Sequence, residues 1–210
     1  MLRKLLCTTS KYYFFFGYSA ISLNTQYSGL LRYRDKATHF EYDLAVLRLV
    51  SHLRFSDSIS PVCLHFKEGG DKYVLDKQQG YFAGWGITEE QKLADELRRV
   101  SMTTLSRESC SQRIEANDVG YSLPQDKFCI INDYKSTACR GDSGGGFVVS
   151  NSQYHQGKLI IEYQLLGVIS NIPIKAQDCS RDTVVVLTNV QFLETIIKEQ
   201  QLKDKTVVLA

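Results

Sequence analysis

A short glycine-rich segment carries the residues of this chain that are best suited to chemistry. It reads Cys-Arg-Gly-Asp-Ser-Gly-Gly-Gly over residues 139–146. Glycines beside Ser143 permit a tight turn with exposed backbone N–H groups, and a serine nucleophile needs such donors for the oxyanion of acyl transfer. An acidic residue beside a nucleophile is unusual unless it is paired, so we expect Asp142 to bind a buried cation. We predict a serine nucleophile with an oxyanion hole made by backbone amides of this turn; the alternative is a glycine-rich turn with an incidental serine.

The six cysteines indicate the compartment in which the chain folds. They are Cys7, Cys63, Cys110, Cys129, Cys139 and Cys179, and no two of them form a Cys-x-x-Cys pair. A zinc or thioredoxin-type site is therefore not expected. An even number of dispersed cysteines fits disulfides and an extracellular, secreted protein. The alternative is a cytosolic protein with buried thiols.

Composition excludes several classes of protein. The 210 residues are 43% apolar and 23% charged, which is an ordinary globular balance. Lys and Arg total 25 against 23 Asp and Glu, so a net charge of +2 predicts neither nucleic acid nor an anionic membrane as a partner. No apolar stretch reaches the ~18 residues that a membrane helix needs. The first 23 residues only partly resemble a signal peptide, since Lys11 and the bulky Tyr18 interrupt the pattern.

Short apolar runs separated by glycines and polar clusters favour an all-β sandwich or barrel. Many of their residues are β-branched or aromatic, as strands prefer. The runs are Tyr42–Val50, Tyr81–Ala83, Phe128–Ile131, Gly146–Val149, Leu159–Ile169 and Thr183–Val190. Two stretches read as helical: Glu108–Gln112, and a C-terminal helix whose apolar face holds Phe192, Leu193, Ile196 and Ile197.

Several motifs, in order along the chain, resemble the chymotrypsin-like (trypsin family) serine proteases. Cys-x-Gly-Asp-Ser-Gly-Gly around Ser143 is similar to the family's nucleophile motif, and Tyr42-Asp43-Leu44-Ala45-Val46-Leu47 is similar to its Asp-Ile-Ala-Leu-Leu strand. Further matches are Pro61-Val62-Cys63-Leu64, Gly84-Trp85-Gly86, Gly167-Val168-Ile169-Ser170 and Leu187-Thr188-Asn189-Val190. The likeness spans Tyr27 to Lys203. It implies Ser143 as the nucleophile, Asp43 as the carboxylate of a catalytic triad, and the amides of Gly141 and Ser143 as the oxyanion hole.

The resemblance also implies the architecture and the disulfides. It predicts a double β-barrel with the site between the barrels and a C-terminal α-helix, in one domain of residues 1–210. Residues 1–75 would be the remnant of an incomplete first barrel, and residues 76–210 the second barrel and the helix. The family pattern pairs Cys110 with Cys129 and Cys139 with Cys179. It directs Cys63 to a cysteine upstream of the domain and leaves Cys7 over.

Two parts of the family's machinery are missing from the sequence. The family carries its histidine in Thr-Ala-Ala-His-Cys, and none of His39, His52, His65 and His155 has that context. No Ile-Val-Gly-Gly terminus is present to pair with Asp142 on activation. Histidine takes the proton from the serine, and in related chemistry its loss costs on the order of 10⁶ in turnover, about 8 kcal/mol. We therefore expect an N-terminally truncated domain that is inactive by itself.

The residues expected around the substrate pocket predict its preference. Trypsin-like members place an aspartate six residues before the nucleophile, where this chain has Thr137, so a basic P1 side chain would find no counter-charge. Ser170 is followed by Asn171-Ile172, and Val185 stands where a glycine is usual. Branched residues at these walls predict a preference for small or medium apolar P1 side chains.

Three functional hypotheses follow. The first is a secreted serine endopeptidase present as a partial domain, which acts on protein or peptide substrates and needs no cofactor or metal. Details of the motifs resemble the modular serine proteases of arthropod haemolymph, which implies cascade proteases or serpin-type inhibitors as partners. The second is an inactive homologue that serves as a binding or cofactor module in a cascade. The third is a truncated product that does not fold, because deleted strands expose sheet edges.

Overall fold

The protein is predominantly β-structure. A computed structural model describes residues 27–33, 43–49, 56, 62–64, 76–117, 122–132, 137–171, 184–194 and 208–209. Its strands are β1 (Tyr27–Tyr33), β2 (Leu44–Leu49), β3 (Gln79–Gly84), β4 (Arg98–Thr104), β5 (Lys127–Ile131), β6 (Gly146–His155), β7 (Lys158–Asn171), β8 (Val185–Asn189) and β9 (Val208–Leu209). Helix α1 spans Arg107–Asn117, and a 3₁₀ helix spans Val190–Leu193. The all-β prediction is confirmed.

The strands form two separate sheets. Six of them close a barrel in the order β3-β4-β5-β8-β7-β6, and β1, β2 and β9 form a three-stranded sheet in the order β1-β2-β9. All paired strands run antiparallel. The short β9 pairs with β2, so the end of the chain joins the first sheet although sequence reasoning placed it with the second barrel. The predicted division at residue 76 stays a prediction.

Strands β5 and β8 are buried on both faces, which explains their continuous apolar sequences. Phe128 and Ile130 point into the barrel core, whereas Cys129 and Ile131 alternate with them and pack in a second cluster beside α1. The residues of β8 divide in the same way, with Val185 and Leu187 inside the barrel. Two-sided burial suits unbroken runs of β-branched residues. Strand β8 also carries Thr188, whose hydroxyl donates a hydrogen bond to the main-chain oxygen of Asp43.

Helix α1 is fastened to the barrel by covalent and polar contacts. A disulfide joins Cys110 on the helix to Cys129 on β5, as predicted. The Arg107 guanidinium donates to the main-chain oxygens of Leu123, Pro124 and Lys127, in the segment that enters β5. The helix predicted at Glu108–Gln112 is therefore present and longer than expected.

The C-terminal helix is only partly described. The chain turns into the 3₁₀ helix directly after β8, where the Asn189 side chain accepts a hydrogen bond from the Gln191 amide. The apolar residues Ile196 and Ile197 of the predicted helix lie outside the described residues. Within the part of the chain that is described, no helix has the length and apolar character to cross a membrane.

Candidate active site

Ser143 stands at the tip of a tight turn between Cys139 and β6. The Asp142 amide donates to the Cys139 oxygen at 3.0 Å, and the Gly145 amide donates to the Asp142 oxygen at 2.9 Å. Gly141 has a φ of 96° and Gly144 a φ of 86°, a region in which side chains with a Cβ are strained. Ser143 is exposed. The local sequence therefore presents the serine hydroxyl to solvent on a rigid turn.

Two amides of this turn are free to bind an anion. Among the described residues, neither the N–H of Gly141 nor that of Ser143 donates a hydrogen bond within the protein. The neighbouring amides of Asp142, Gly144 and Gly145 are all engaged. Donors that are held in place without partners are what a developing oxyanion requires.

Asp142 lies beneath the turn with its carboxylate buried. One oxygen accepts a hydrogen bond from the Gly86 amide and the other from the Cys139 amide, each at 2.9 Å. Burial raises the pKa of Asp142 above its ordinary value of 3.8, while the two backbone hydrogen bonds partly oppose that shift. Among the residues that the structure describes, none forms an ion pair with Asp142. The carboxylate is a buried acceptor that lacks a counter-charge here.

Two glycines leave room for this carboxylate. A Cβ at Gly84 would lie 2.0 Å from an oxygen of Asp142, and one at Gly86 would lie 2.3 Å from the other oxygen. Both distances are far below van der Waals contact. The Gly-Trp-Gly motif therefore has a local physical reason, because any larger residue at either glycine position would displace Asp142.

The turn is attached to one end of β7. The Gly144 amide donates to the Ile169 oxygen at 2.9 Å, and the Ile169 amide donates to the Gly145 oxygen at 2.8 Å. The next residue of β7 is Ser170, which faces Asp43. These two hydrogen bonds fix the position of the Ser143 turn relative to Ser170.

Asp43 is held at the same end of β7. Its carboxylate accepts a hydrogen bond from the Ser170 hydroxyl at 2.8 Å, and its main-chain oxygen accepts one from the Thr188 hydroxyl at 2.8 Å. Asp43 is partly buried and directly precedes β2. The structure therefore brings the turn of Ser143 and the side chain of Asp43 to adjacent residues of one strand, although 100 positions separate Asp43 and Ser143 in the sequence.

The residues predicted to line a substrate pocket have different environments. Thr137 is partly buried, and its hydroxyl oxygen is fully buried without a hydrogen-bond partner in the described structure. Val185 is completely buried and belongs to the core cluster that also contains Ala138. The backbone of Asn171 ends β7, whereas its side chain and the whole of Ile172 lie outside the described residues.

The remaining predicted residues are placed only in part. Cys139 is disulfide-bonded, and its predicted partner Cys179 lies outside the described residues. Cys63 is also disulfide-bonded within this chain, and its partner lies outside the described residues. Its expected pairing with a cysteine of an upstream chain or pro-segment stays a prediction. The Cys63 amide donates to the main-chain oxygen of Tyr163, and the Cys63 oxygen accepts from the amide of Leu165, each at 2.9 Å.

No group of acidic, cysteine or histidine side chains in the described structure is arranged to hold a metal ion.

The histidines contribute no described side chain to the site. His39, His52 and His65 lie outside the described residues, and only the backbone of His155 is described, at the end of β6.

Sequence reasoning did not find how Asp43 is held. Ser170 was expected to contact substrate, which stays a prediction, and its hydroxyl bond to Asp43 was not expected. Thr188 appeared only as part of a motif, and buried Lys127 was not noticed at all. Lys127 follows the polar residues Gln125 and Asp126 and precedes the apolar run Phe128–Ile131, so the sequence gives no signal that its side chain is buried. No sequence pattern indicates that Ser170 and Thr188 contact Asp43, since both lie far from it in the sequence.

The chain belongs to the trypsin family, whose family profile matches residues 23–197. A modular serine protease of Drosophila melanogaster is 34% identical over 168 residues, which cover 79% of this chain and 25% of that protein. The CLIP domain-containing serine protease B15 of Anopheles gambiae is 32% identical over 49% of this chain and 28% of its own length.

A mammalian relative extends the comparison. The complement C1r-A subcomponent of Mus musculus is 32% identical over 55% of this chain and 16% of its own length. The chain thus spans about a quarter or less of the Drosophila and mouse relatives. The predicted membership of the chymotrypsin-like serine proteases, near the arthropod modular proteases, is confirmed.

Proposed function

We propose that this chain carries part of a secreted serine endopeptidase that cleaves protein or peptide substrates through an acyl-enzyme. One observation carries the proposal: the Ser143 turn and Asp43 both hydrogen-bond to neighbouring residues of β7, Ile169 and Ser170. In addition, the disulfide between Cys110 and Cys129 favours an oxidising compartment.

The proposed reaction assigns a role to each group. Ser143 Oγ attacks the substrate carbonyl carbon, and the electron pair of the carbonyl moves onto its oxygen. The free amides of Gly141 and Ser143 donate to that oxyanion. A histidine, oriented by Asp43, takes the hydroxyl proton. When the electron pair of the oxyanion re-forms the carbonyl, the peptide C–N bond breaks, and the histidine gives its proton to the leaving amine. Water then releases the acyl group from Ser143 by the same steps.

The chain as given lacks a histidine in the family's context, so we propose that it is not a competent protease by itself. Loss of the base costs about six orders of magnitude in related chemistry. The same deficiency supports the second candidate function, an inactive homologue that binds proteases of a cascade or serpin-type inhibitors. Retention of Asp43, Asp142 and Ser143 supports the first candidate, because a binding module has no chemical need for them.

Asp142 is proposed to be linked to activation. Its buried carboxylate has a pKa raised by burial and has no cationic partner among the described residues. An ammonium that entered beside it would replace the lost solvation and would stabilise the ionised carboxylate. A new amino terminus released by cleavage is the cation that the family resemblance implies. Binding of that terminus would fix the turn that carries Gly141 and Ser143.

The substrate pocket is proposed to accept small or medium apolar P1 side chains. Thr137 offers no negative charge to a basic side chain. Val185 occupies the space where the family usually has glycine, and it packs with Ala138 in the core. Ser170, Asn171 and Ile172 would form the adjoining wall.

An organophosphonate probe tests the proposed function. We would determine the transcript sequence upstream of the Met1 codon and express both this chain and the longest natural protein that contains it. The longer protein, once activated, should react at Ser143, as detected by mass spectrometry of the labelled peptide. The chain of 210 residues should react slower by a factor on the order of 10⁶. Ser143→Ala is the matched control and should abolish labelling.

The two candidate functions predict different results in this experiment. If a longer protein supplies the histidine and still fails to label at Ser143, the endopeptidase proposal is wrong. Stable binding of that unreactive protein to a cascade protease or a serpin would then support the binding module.

A further inference from the structure

Strand β5 begins with a buried lysine, Lys127. The side chain of Lys127, the first residue of β5, is 0% exposed. Its ammonium is 3.4 Å from a carboxylate oxygen of Asp126, whose side chain is only 4% exposed. A buried charge is costly unless it is paired and hydrogen-bonded, and an apolar residue of similar volume is often at least as stable. Stability alone therefore does not explain a lysine here.

The ammonium of Lys127 also reaches a second strand. It donates a hydrogen bond to the Thr188 hydroxyl oxygen at 2.6 Å. Lys127 and Thr188 lie directly opposite each other across β5 and β8, so their side chains project from the same face of the sheet. The register of two well-buried strands therefore determines this contact.

The Thr188 hydroxyl connects Lys127 to Asp43 through two hydrogen bonds. The Thr188 hydroxyl donates to the main-chain oxygen of Asp43 at 2.8 Å. An ammonium can only donate and a carbonyl oxygen can only accept, whereas a hydroxyl has one proton to give. With Lys127 donating to it, the Thr188 hydroxyl can give its proton to Asp43. The direction of both hydrogen bonds is thereby fixed, and each polarises and strengthens the other.

We propose that Lys127 is a positioning residue for Asp43 and acts through Thr188. This inference rests on the proposed function, in which Asp43 orients the catalytic base. Thr188 holds the main chain of Asp43, and Ser170 holds its side chain. Lys127 keeps the Thr188 hydroxyl in the orientation that holds Asp43. The aspartate is thereby fixed relative to β7, to which the Ser143 turn is also attached.

Nuclear magnetic resonance of the full 210-residue chain tests this inference without substrate. In the wild type, the Thr188 hydroxyl proton should exchange slowly with water and should show a cross-peak to a proton of Asp43 or Lys127. Lys127→Met removes the donor and keeps a long apolar side chain. We expect hydroxyl exchange to become about tenfold faster, as for the loss of one hydrogen bond. The carbonyl carbon shift of Asp43 should move with it.

Further variants separate positioning from a purely structural role. Thr188→Val should move the Asp43 carbonyl shift in the same direction, and adding Lys127→Met to it should cause no further movement. Ile130→Val is the matched control, because it perturbs β5 without a polar atom. The inference is overturned if Lys127→Met moves Asp43 no more than Ile130→Val does, or if the wild-type hydroxyl proton exchanges rapidly.

The test remains informative if the Lys127→Met variant does not fold, and also if the proposed endopeptidase function is wrong. If Lys127→Met does not fold because buried Asp126 loses the ammonium beside it, the combined variant Asp126→Asn/Lys127→Met replaces it. The wild-type measurement and Thr188→Val need neither variant. If the longer, activated protein never reacts with the phosphonate at Ser143, but Asp43 responds as described, the proposed endopeptidase is refuted and the positioning by Lys127 still holds.

Discussion

At the scale of single residues, the Asp142 carboxylate lies so close to Gly84 and Gly86 that neither position has room for a side chain. A Cβ at Gly84 would lie 2.0 Å from one carboxylate oxygen of Asp142, and a Cβ at Gly86 would lie 2.3 Å from the other. Gly86 also donates its amide to that carboxylate. One methyl group at Gly86 must therefore either displace Asp142 or move the backbone of the Gly-Trp-Gly segment.

We expect Gly86→Ala to lower the free energy of unfolding by about 1–3 kcal/mol, the usual cost of overpacking a filled site. Urea unfolding of the full chain measures this change. Because the atoms nearest to the added methyl group all belong to Asp142, the same substitution should cost much less in an Asp142→Ala background. An equal cost in both backgrounds would show that the strain lies elsewhere.

At the scale of elements, β6 and β7 form a hairpin that is longer than the other strand pairs of the barrel. Their register runs from Gly146 opposite Val168 to His155 opposite Lys158, which leaves a loop of two residues. Gln156 and Gly157 in that loop have φ values of 49° and 74°. Two positive φ values are typical of a type I′ turn, which favours Asn-Gly.

Gln156→Asn should therefore stabilise the hairpin, because asparagine tolerates a positive φ better than glutamine does. We expect the free energy of unfolding to rise by about 0.5 kcal/mol. Gln153→Asn makes the same change at an exposed strand position of β6 and is the matched control. It should not stabilise the protein, since asparagine is disfavoured in strands. Equal effects of the two variants would contradict the assignment of the turn.

Elements also show where the sequence was informative and where it was not. Strands β5 and β8 were predictable because burial on both faces makes them continuous apolar runs. Strand β4, Arg98–Thr104, was not predicted, since its first residues are polar and exposed and its fully buried side chains are Met102 and Thr104. Strand β6 was predicted only as far as Val149, because the polar sequence from Ser150 onward lies in the exposed part of the hairpin.

The candidate site was predictable only where its residues adjoin in the sequence. The turn around Ser143 carries its own signal, since an acidic residue, a serine and glycines are consecutive. Asp43 was found through family resemblance, and its partners were not found as such. The hydrogen bond from Ser170 spans 127 positions and that from Thr188 spans 145. Such pairings follow from barrel register and from the packing of the two sheets, which no local pattern encodes.

At the scale of the whole molecule, Asp142 links stability to pH. Burial raises its pKa in the folded chain above 3.8, so the folded state binds this proton more tightly than the unfolded state does. The stability contributed by that proton is fully present below pH 3.8 and is lost as pH rises through the pKa of the folded state. This site therefore opposes folding progressively as the solution becomes neutral.

We expect the free energy of unfolding of the wild type, relative to Asp142→Asn, to fall above pH 3.8 as the pH rises through the pKa of Asp142 in the folded chain. Urea unfolding of both proteins at several pH values measures the difference, in which the other titrating groups cancel. Glu90→Gln removes a negative charge at an exposed position and controls for net charge. A difference that stays constant or grows with pH would show that Asp142 is not held as described.

The crowding of Gly84 and Gly86 against Asp142 has an evolutionary consequence. Gly86 and Gly84 lie 56 and 58 residues before Asp142 in the sequence. Substitutions at these three positions can accumulate in only one order. A descendant that keeps the acid cannot accept a side chain at either glycine, whereas a descendant that loses the acid first frees both glycines at once. Among decayed descendants of such a domain, alanine or serine at these glycine positions should accompany loss of the acid and should not precede it.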